Sequence, residues 1–388
     1  MKVLLISPLP KVDPPCGDIT YTETLLAHPP EGVQYETYAE ALAHGTLQEH
    51  GTGRALKVAC RSRQRLAEEL RLTVVYKSVN GLRKRRWLFW EPYRFFSVKP
   101  GAYDLIHMHV FSARFRDLSC PLVVSNAAPQ RFLYTQARAY SEGRTRALEI
   151  IEKRLGRALG MNVNSYSLPQ ATRLVVFTQF LKDWYVRNQI MPADKIDIAP
   201  IYLPSVPPRR LSAHPHRIGF VAKDFNAKGG ATLLKAFERV RTSQPNTELW
   251  IVGCPPQSDE ASLLALGIHW LAYTPRDVLM CEIFPSFDVF AYPTQFDGLP
   301  LVVLEAMANG IPIATSDYQA MPEIIGYGRA GMVSPVGNAE ALAANILKLL
   351  EPSYNSQSCQ ASQGHFEAFY SATSVKPLLR ASYEAAMA

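Results

Sequence analysis

Two acidic residues bracket a helix start in the second half of the chain. In Phe296-Asp297-Gly298-Leu299-Pro300-Leu301-Val302-Val303-Leu304-Glu305-Ala306-Met307-Ala308, Asp297 and Gly298 stand where a strand ends and a helix opens, and Glu305 follows inside that helix. The backbone N–H groups around Gly298, Leu299, Pro300 and Leu301 would then sit at a helix N-terminus, whose partial positive charge suits a phosphate. Pro300 fits the first turn, where no intrahelical N–H bond is lost. Glu305 is flanked by Leu304, Ala306 and Met307, so it is an acid in an otherwise apolar helix. Such an acid needs a partner, and ribose hydroxyls would serve. The local alternatives are a helix N-cap for Asp297 and a structural buried acid for Glu305.

Two other phosphate motifs are missing. No G-x-x-x-x-G-K-[ST] occurs, and no G-x-G-x-x-G follows the first strand, which disfavours an ordinary P-loop and a nicotinamide dehydrogenase. The 388 residues are too many for one ordinary core and imply two domains. The six cysteines lie far apart, so neither a zinc site nor a redox motif is indicated, and they read as reduced thiols of a cytoplasmic protein. No apolar run approaches the roughly 18 residues of a membrane span. Pro8 and Pro10 cut the first apolar run short, so it reads as a buried strand and not as a signal peptide.

The elements that position the acids come from an alternation of strand and helix patterns. Strands are expected at Val3–Ile6, Val33–Ala39, Asp104–Val110, Pro121–Ser125 and Arg173–Phe177, with helices near Ile19–Ala27, Arg54–Leu72 and Arg144–Leu159. A proline-rich linker follows at 204–217. The alternation then restarts, with strands at Ile218–Ala222, Glu248–Val252, Ile268–Leu271, Val289–Tyr292, Ile313–Thr315 and Met332–Val333. Helices are expected at Ala231–Arg241, Val278–Phe284, Leu301–Asn309, Ala339–Leu350 and Val375–Met387. This is an α/β chain with two parallel sheets. Ligands of such sheets bind at the carboxyl ends of the strands.

With these pieces in order, the chain resembles the retaining glycosyltransferases of family four (glycosyl transferases group 1), which have the GT-B fold: two Rossmann-like domains with parallel sheets facing across a cleft. The segment from Asp297 to Glu305 resembles that family's two-acid signature. Phe220-Val221-Ala222-Lys223-Asp224-Phe225-Asn226-Ala227-Lys228-Gly229 resembles its loop carrying an Arg and a Lys five apart. Val252-Gly253, Phe287-Asp288-Val289-Phe290, Pro322-Glu323, Pro14-Pro15-Cys16-Gly17-Asp18 and Asp104-Leu105-Ile106-His107-Met108-His109 are further matches.

The resemblance implies roles. Lys223 and Lys228 would neutralise the donor diphosphate, where negative charge builds as the glycosidic bond breaks. The alternative, less favoured in this motif context, is that both are surface lysines of a turn. Asp297 would face the donor sugar, although the family's acid is usually glutamate, one methylene longer. Glu305 would bind ribose. Gly17 matches the first glycine of the N-terminal loop, with Asp18 in place of the second. Tyr273 and Thr274 would contact the base. Asn126 stands near where relatives place a histidine and could hydrogen-bond a sugar hydroxyl, but it cannot do acid–base work. His107 and His109 share one face of a strand, either approaching the cleft or belonging to the core or rim.

The domains implied are an acceptor domain over 1–203, the linker 204–217, a nucleotide-sugar domain over 218–365, and a terminal helix in 366–388 packing back on the first domain. The expected reaction moves a hexose from a UDP- or GDP-linked donor to an acceptor hydroxyl with retention. The nucleotide-sugar is a substrate, no resident cofactor is implied, and no metal is expected. A catalytically silent sugar-nucleotide-binding homologue and a GT-B-like epimerase or phosphorylase remain as alternatives.

The net charge of +7 is unevenly spread: residues 51–100 carry 13 Lys and Arg against 3 Asp and Glu. Arg83-Lys84-Arg85-Arg86-Trp87-Leu88-Phe89-Trp90, within the basic 54–99 region, would suit an anionic membrane surface on the inner face. The alternative is a solvated charged face. No recognised motif supports nucleic-acid binding.

Overall fold

The computed structural model describes residues 1–7, 17–50, 94–109, 113–126, 168–204, 206, 216–254, 260–272 and 274–388. The helices expected at Arg54–Leu72 and Arg144–Leu159, most of the basic 54–99 region, most of the 204–217 linker, Pro14–Cys16 and Tyr273 lie outside those residues. The chain divides into two compact units. One comprises Met1–Val176, Tyr185–Asp197 and Leu379–Ala388; the other comprises Phe177–Trp184 and Ile198–Leu378.

The first half of the chain gives β1 (Lys2–Ile6), α1 (Gly17–Ala27), β2 (Gln34–Thr37), α2 (Tyr38–Ala43), β3 (Leu47–His50), β4 (Arg94–Val98), β5 (Leu105–His109), β6 (Ala113–Phe115), β7 (Leu122–Asn126), β8 (Arg173–Val176), α3 (Gln179–Arg187) and β9 (Ile196–Ile198). The main sheet runs β2-β1-β5-β7-β8-β9. Its ladders from β2 through β8 are parallel. Strands β5 and β7 are buried along their whole length, as a sheet covered on both faces requires.

Two features here differ from expectation. The strand expected to run to Ala39 stops at Thr37, because Thr37 and Glu40 form a capping box that starts α2 at once. A separate three-stranded sheet, β3-β4-β6, was not anticipated; β3 pairs antiparallel and β6 parallel to β4.

The second half gives β10 (Arg217–Val221), α4 (Gly230–Ser243), β11 (Glu248–Val252), α5 (Glu260–Ala265), β12 (Ile268–Leu271), β13 (Val289–Tyr292), α6 (Leu301–Ala308), β14 (Ile313–Ser316), α7 (Met321–Ile324), β15 (Gly331–Ser334), α8 (Ala339–Leu350), α9 (Pro352–Phe369) and α10 (Ala372–Met387). Its sheet has the order β12-β11-β10-β13-β14-β15 and is parallel throughout. The order reverses at β10 and β13, so the loops after these two strands flank the switch point where α/β sheets take ligands.

The helix expected at Val278–Phe284 is irregular. Arg276–Val278 makes one α-turn, Leu279–Ile283 widens to a π-helix, and Phe284–Ser286 tightens to 3-10, with Pro285 in that last turn. Helix α9 was not expected at all. Its buried stripe, Asn355, Cys359, Ser362 and Phe366, has helical spacing but is largely polar. Asn355 donates to the carbonyls of Asp288 and Leu349, and Ser362 donates to that of Ile311. The segment expected as a separate terminal element over 366–388 begins inside α9, and Leu379–Ala388 of α10 belongs to the first unit. Among the described residues, no helix is long and apolar enough to cross a membrane, and Cys120, Cys254, Cys281 and Cys359 are thiols.

Candidate functional site

In the second unit the loop after β10 carries both lysines. Lys223 is exposed at its head. The loop turns on Asp224, whose Oδ1 accepts from Ala227 N at 2.9 Å and whose carbonyl accepts from Lys228 N at 3.2 Å. Gly229 then caps α4 in the left-handed region, at φ 82. A Cβ there would stand 1.9 Å from the Pro293 carbonyl oxygen, so only glycine lets this loop lie against the segment leaving β13. The bond from Gln295 N to the Ala227 carbonyl, 3.1 Å, fixes the same contact.

That approach brings Lys228 to Asp297. The Lys228 ammonium donates to Asp297 Oδ2 and to the Phe296 carbonyl, each at 2.6 Å. The Tyr292 hydroxyl, from the last residue of β13, donates to the same Oδ2 at 2.7 Å. Burial, and then the Asp297 charge, push the Tyr292 phenol well above its ordinary pKa. Burial followed by the same charge raises Tyr318 to about 12. Thr315 and Ser316 of β14 brace the turn by donating to the carbonyls of Tyr292 and Thr294.

Gly298 is half-buried, Leu299 is buried, and Pro300 is the N-cap of α6, so Leu301 opens the helix with no side chain capping it. The N-cap reading of Asp297 is thereby corrected: its carboxylate is turned to Lys228 and Tyr292. Proline is likewise one position earlier than the first turn. Glu305, mid-helix, is 1% exposed. Arg276 Nη1 lies 2.6 Å from its Oε1. Burial pushes the Glu305 carboxyl up, while Arg276 pulls it down. Thr274 is half-buried, two residues before Arg276.

Glu323 has a structural task. Its Oε1 accepts from Gln179 N at 2.6 Å and its Oε2 from Phe180 N at 2.9 Å, so a carboxylate closes the N-terminus of α3.

In the first unit Gly17 and Asp18 form the opening of α1. His107 and His109 are both 0% exposed, in the core. They share Ser125: His107 Nε2 and His109 Nδ1 each lie 2.8 Å from its Oγ. The chain of polar contacts continues from His107 Nδ1 to the Tyr383 hydroxyl, 2.6 Å, and from there to the Tyr35 hydroxyl, 2.7 Å. Burial, and then the neighbouring His109, lower the His107 pKa to about 3, which keeps the ring neutral. Asn126, at the end of β7, donates to the Tyr185 hydroxyl at 2.7 Å.

Comparison with known proteins bears on this geometry. Residues 215–352, which carry Lys223, Lys228, Asp297 and Glu305, match the family described as glycosyl transferases group 1. These residues form a glycosyl transferases group 1 domain. The chain is similar to the amylovoran biosynthesis glycosyltransferase AmsK of Erwinia amylovora, 22% identical over 65% of this chain and 70% of that one. Sucrose-phosphate synthase from Thermosynechococcus elongatus superposes with a TM-score of 0.60 at 15% identity, covering 99% of this chain and 98% of that one. Anabaena HepE, solved with UDP and glucose, gives 0.58 at 12% identity, covering 99% of each chain. At such identities the likeness is one of fold, and that fold is GT-B.

Tyr292, Tyr318 and Arg276 were not singled out from the sequence. Tyr292 carried a signal, since it ends the strand that delivers Asp297. Arg276 carried none: its partner is 29 positions away on a different element.

Proposed function

We propose that this chain is a retaining hexosyltransferase that moves a sugar from a UDP- or GDP-linked donor to an acceptor hydroxyl. The observation that carries the reading is the convergence of Lys228 and Asp297 at the carboxyl ends of β10 and β13, within the group 1 domain. In this reading Lys228, with Lys223, takes up the charge of the departing diphosphate. The bond between the anomeric carbon and the phosphate oxygen breaks, and its electron pair stays with the phosphate. The acceptor oxygen attacks from the same face, and its proton passes to the leaving phosphate. Asp297 faces the donor sugar, Gly298 to Leu301 and Thr274 line the donor's position, and Glu305 accepts from the ribose. No metal and no resident cofactor take part.

The acceptor in this reading is a growing glycan, free or lipid-linked, as in the capsular polysaccharide biosynthesis for which a similar glycosyltransferase of Staphylococcus aureus is named. The enzyme works in the cytoplasm, held to an anionic membrane surface by its basic 54–99 region. A second reading, a silent nucleotide-sugar binder, draws on the shorter acid at 297 and on Asn126, a side chain with no acid–base capacity.

A donor panel tests this. Each UDP- and GDP-sugar is incubated with the protein and nucleoside diphosphate release is followed, with and without EDTA. Release from one donor, lost in Lys228→Ala and in Glu305→Ala and untouched by EDTA, is the expected result. Tight nucleotide binding without release, even with glycan acceptors added, supports the silent binder. Neither binding nor release overturns both readings.

A further inference from the structure

Glu305 is a nearly fully buried carboxylate whose charge is answered by one side chain. Arg276 reaches its Oε1 at 2.6 Å from the turn that follows Thr274 and Pro275, and the Arg276 side chain itself is 44% exposed. Oε1 is buried, and among the described residues its polar contact is the Arg276 ion pair, with no hydrogen bond of good geometry beside it; Oε2 has no ion pair, and the flanking Leu304, Ala306 and Met307 are apolar.

Strands β13 and β14 and helix α9 pack against α6. Strand β14 carries no titratable side chain, and Tyr292 of β13 is engaged with Asp297. Helix α9 carries Tyr354, Cys359, His365 and Glu367. Of these, Cys359 donates to Asn355, His365 contacts the Ile324 carbonyl, and Tyr354 lies under Lys348. Arg276 is thus the charged group that acts on Glu305.

We infer that Arg276 is a positioning residue for the nucleoside half of the donor, favouring the carboxylate form of Glu305 and fixing it through the ion pair at Oε1 so that Oε2 is left to accept from the vicinal ribose hydroxyls. The inference rests on the sugar-nucleotide reading above and adds to it a residue that touches the acid and not the sugar. An ionised carboxylate is an acceptor at both oxygens, whereas a protonated one presents a donor and loses much of its pull on two hydroxyl donors. In an apolar helix without a cation nearby, desolvation favours the protonated form. Arg276 opposes that shift from 2.6 Å.

The test is nucleotide binding by the full chain as a function of pH, read by calorimetry with UDP and GDP as probes. The measured quantity is the ratio of variant to wild-type Kd, which cancels titration of the diphosphate itself. For Arg276→Gln the ratio should fall toward one as pH rises and grow as pH falls, by at most about tenfold for each pH unit. Arg276→Lys, which keeps the charge, should flatten the profile. Glu305→Gln should bind weakly at every pH. A thermal melt identifies any variant that fails to fold, and Arg276→Lys then carries the comparison against wild type.

A ratio for Arg276→Gln that is constant with pH overturns the inference, whether it is one or much larger. A large constant ratio means that Arg276 touches the nucleotide directly. If the wild type binds nucleotide but Glu305→Gln binds equally well, the ribose assignment and this inference fall together while the donor site stands. If the wild type binds neither nucleotide, the sugar-nucleotide reading itself falls.

Discussion

The Lys228 ammonium and the Asp297 carboxylate are in contact at 2.6 Å, and the Tyr292 hydroxyl meets the same carboxylate oxygen. Lys228, the cation assigned to the diphosphate in the proposed function, is thus paired with an acid of its own chain. In that reading donor phosphate competes with Asp297 for Lys228.

This competition separates binding from turnover. Asp297→Asn removes the competing charge, so nucleoside diphosphate affinity should stay or rise while donor turnover falls at least about tenfold. Lys228→Ala should weaken nucleotide binding by about 10- to 100-fold, the worth of one charge-assisted hydrogen bond of about 1.5–3 kcal/mol. Calorimetry and steady-state release, run on both variants, check this. Weaker nucleotide binding by Asp297→Asn would count against the competition.

Tyr292→Phe deletes one oxygen and leaves a carboxylate with one fewer donor. The expected cost is about 1.5–3 kcal/mol of folding stability, because a hydrogen bond to a charged group is lost in a partly buried place. Turnover should fall while donor affinity changes little, since Lys228 still meets Asp297. Chemical denaturation and a split of kcat from KM read the two effects separately.

Gly229→Ala tests the loop that delivers Lys228. The left-handed backbone alone costs an alanine about 1 kcal/mol, and the Cβ would also overlap the Pro293 carbonyl. The loop must lift away from the segment after β13, so both stability and nucleotide affinity should fall together. A variant that melts like the wild type would contradict the close approach.

The buried His107 makes stability depend on pH in a defined direction. Its folded pKa is about 3, below the ordinary value of about 6.5 for an unfolded chain. The contribution is complete above the unfolded value and is lost as pH falls toward the folded one. Stability from this group should therefore drop by about 1.4 kcal/mol per pH unit below about 6. Denaturant titrations at several pH values, compared with His107→Gln, isolate it. Tyr383→Phe, which leaves His107 Nδ1 without its hydroxyl partner, should cost about 1–3 kcal/mol at neutral pH.

What could be read beforehand follows a physical division. The parallel sheets announce themselves because strands buried on both faces must be apolar runs, as in Val289–Tyr292, and helix α8 was legible to the residue because its apolar period is regular. Helix α9 stayed hidden because Asn355 and Ser362 fill its buried face with hydrogen bonds, which leaves no apolar period to detect. In the site, the positions of Asp297 and Glu305 on one strand–helix turn were visible as spacing. Their partners were not: Tyr292 looks like an ordinary strand aromatic, and Arg276 sits on a turn whose π-helical continuation no spacing rule anticipates. The two histidines shared a face as the strand period demands, but only the approach of Tyr383 and Ser125 showed that this face is core.

The contact between Tyr383 and His107 spans 276 residues, and that separation has a meaning during synthesis. At about 5–20 residues per second on the ribosome, roughly 14–55 s pass between the making of β5 and the arrival of the residue that covers it. The first unit is thus begun early and closed last, after the whole glycosyltransferase domain has been translated. In the interval His107 lacks its hydroxyl partner, and the nascent unit presents an unfinished core to whatever chaperone or membrane surface stands at the tunnel exit.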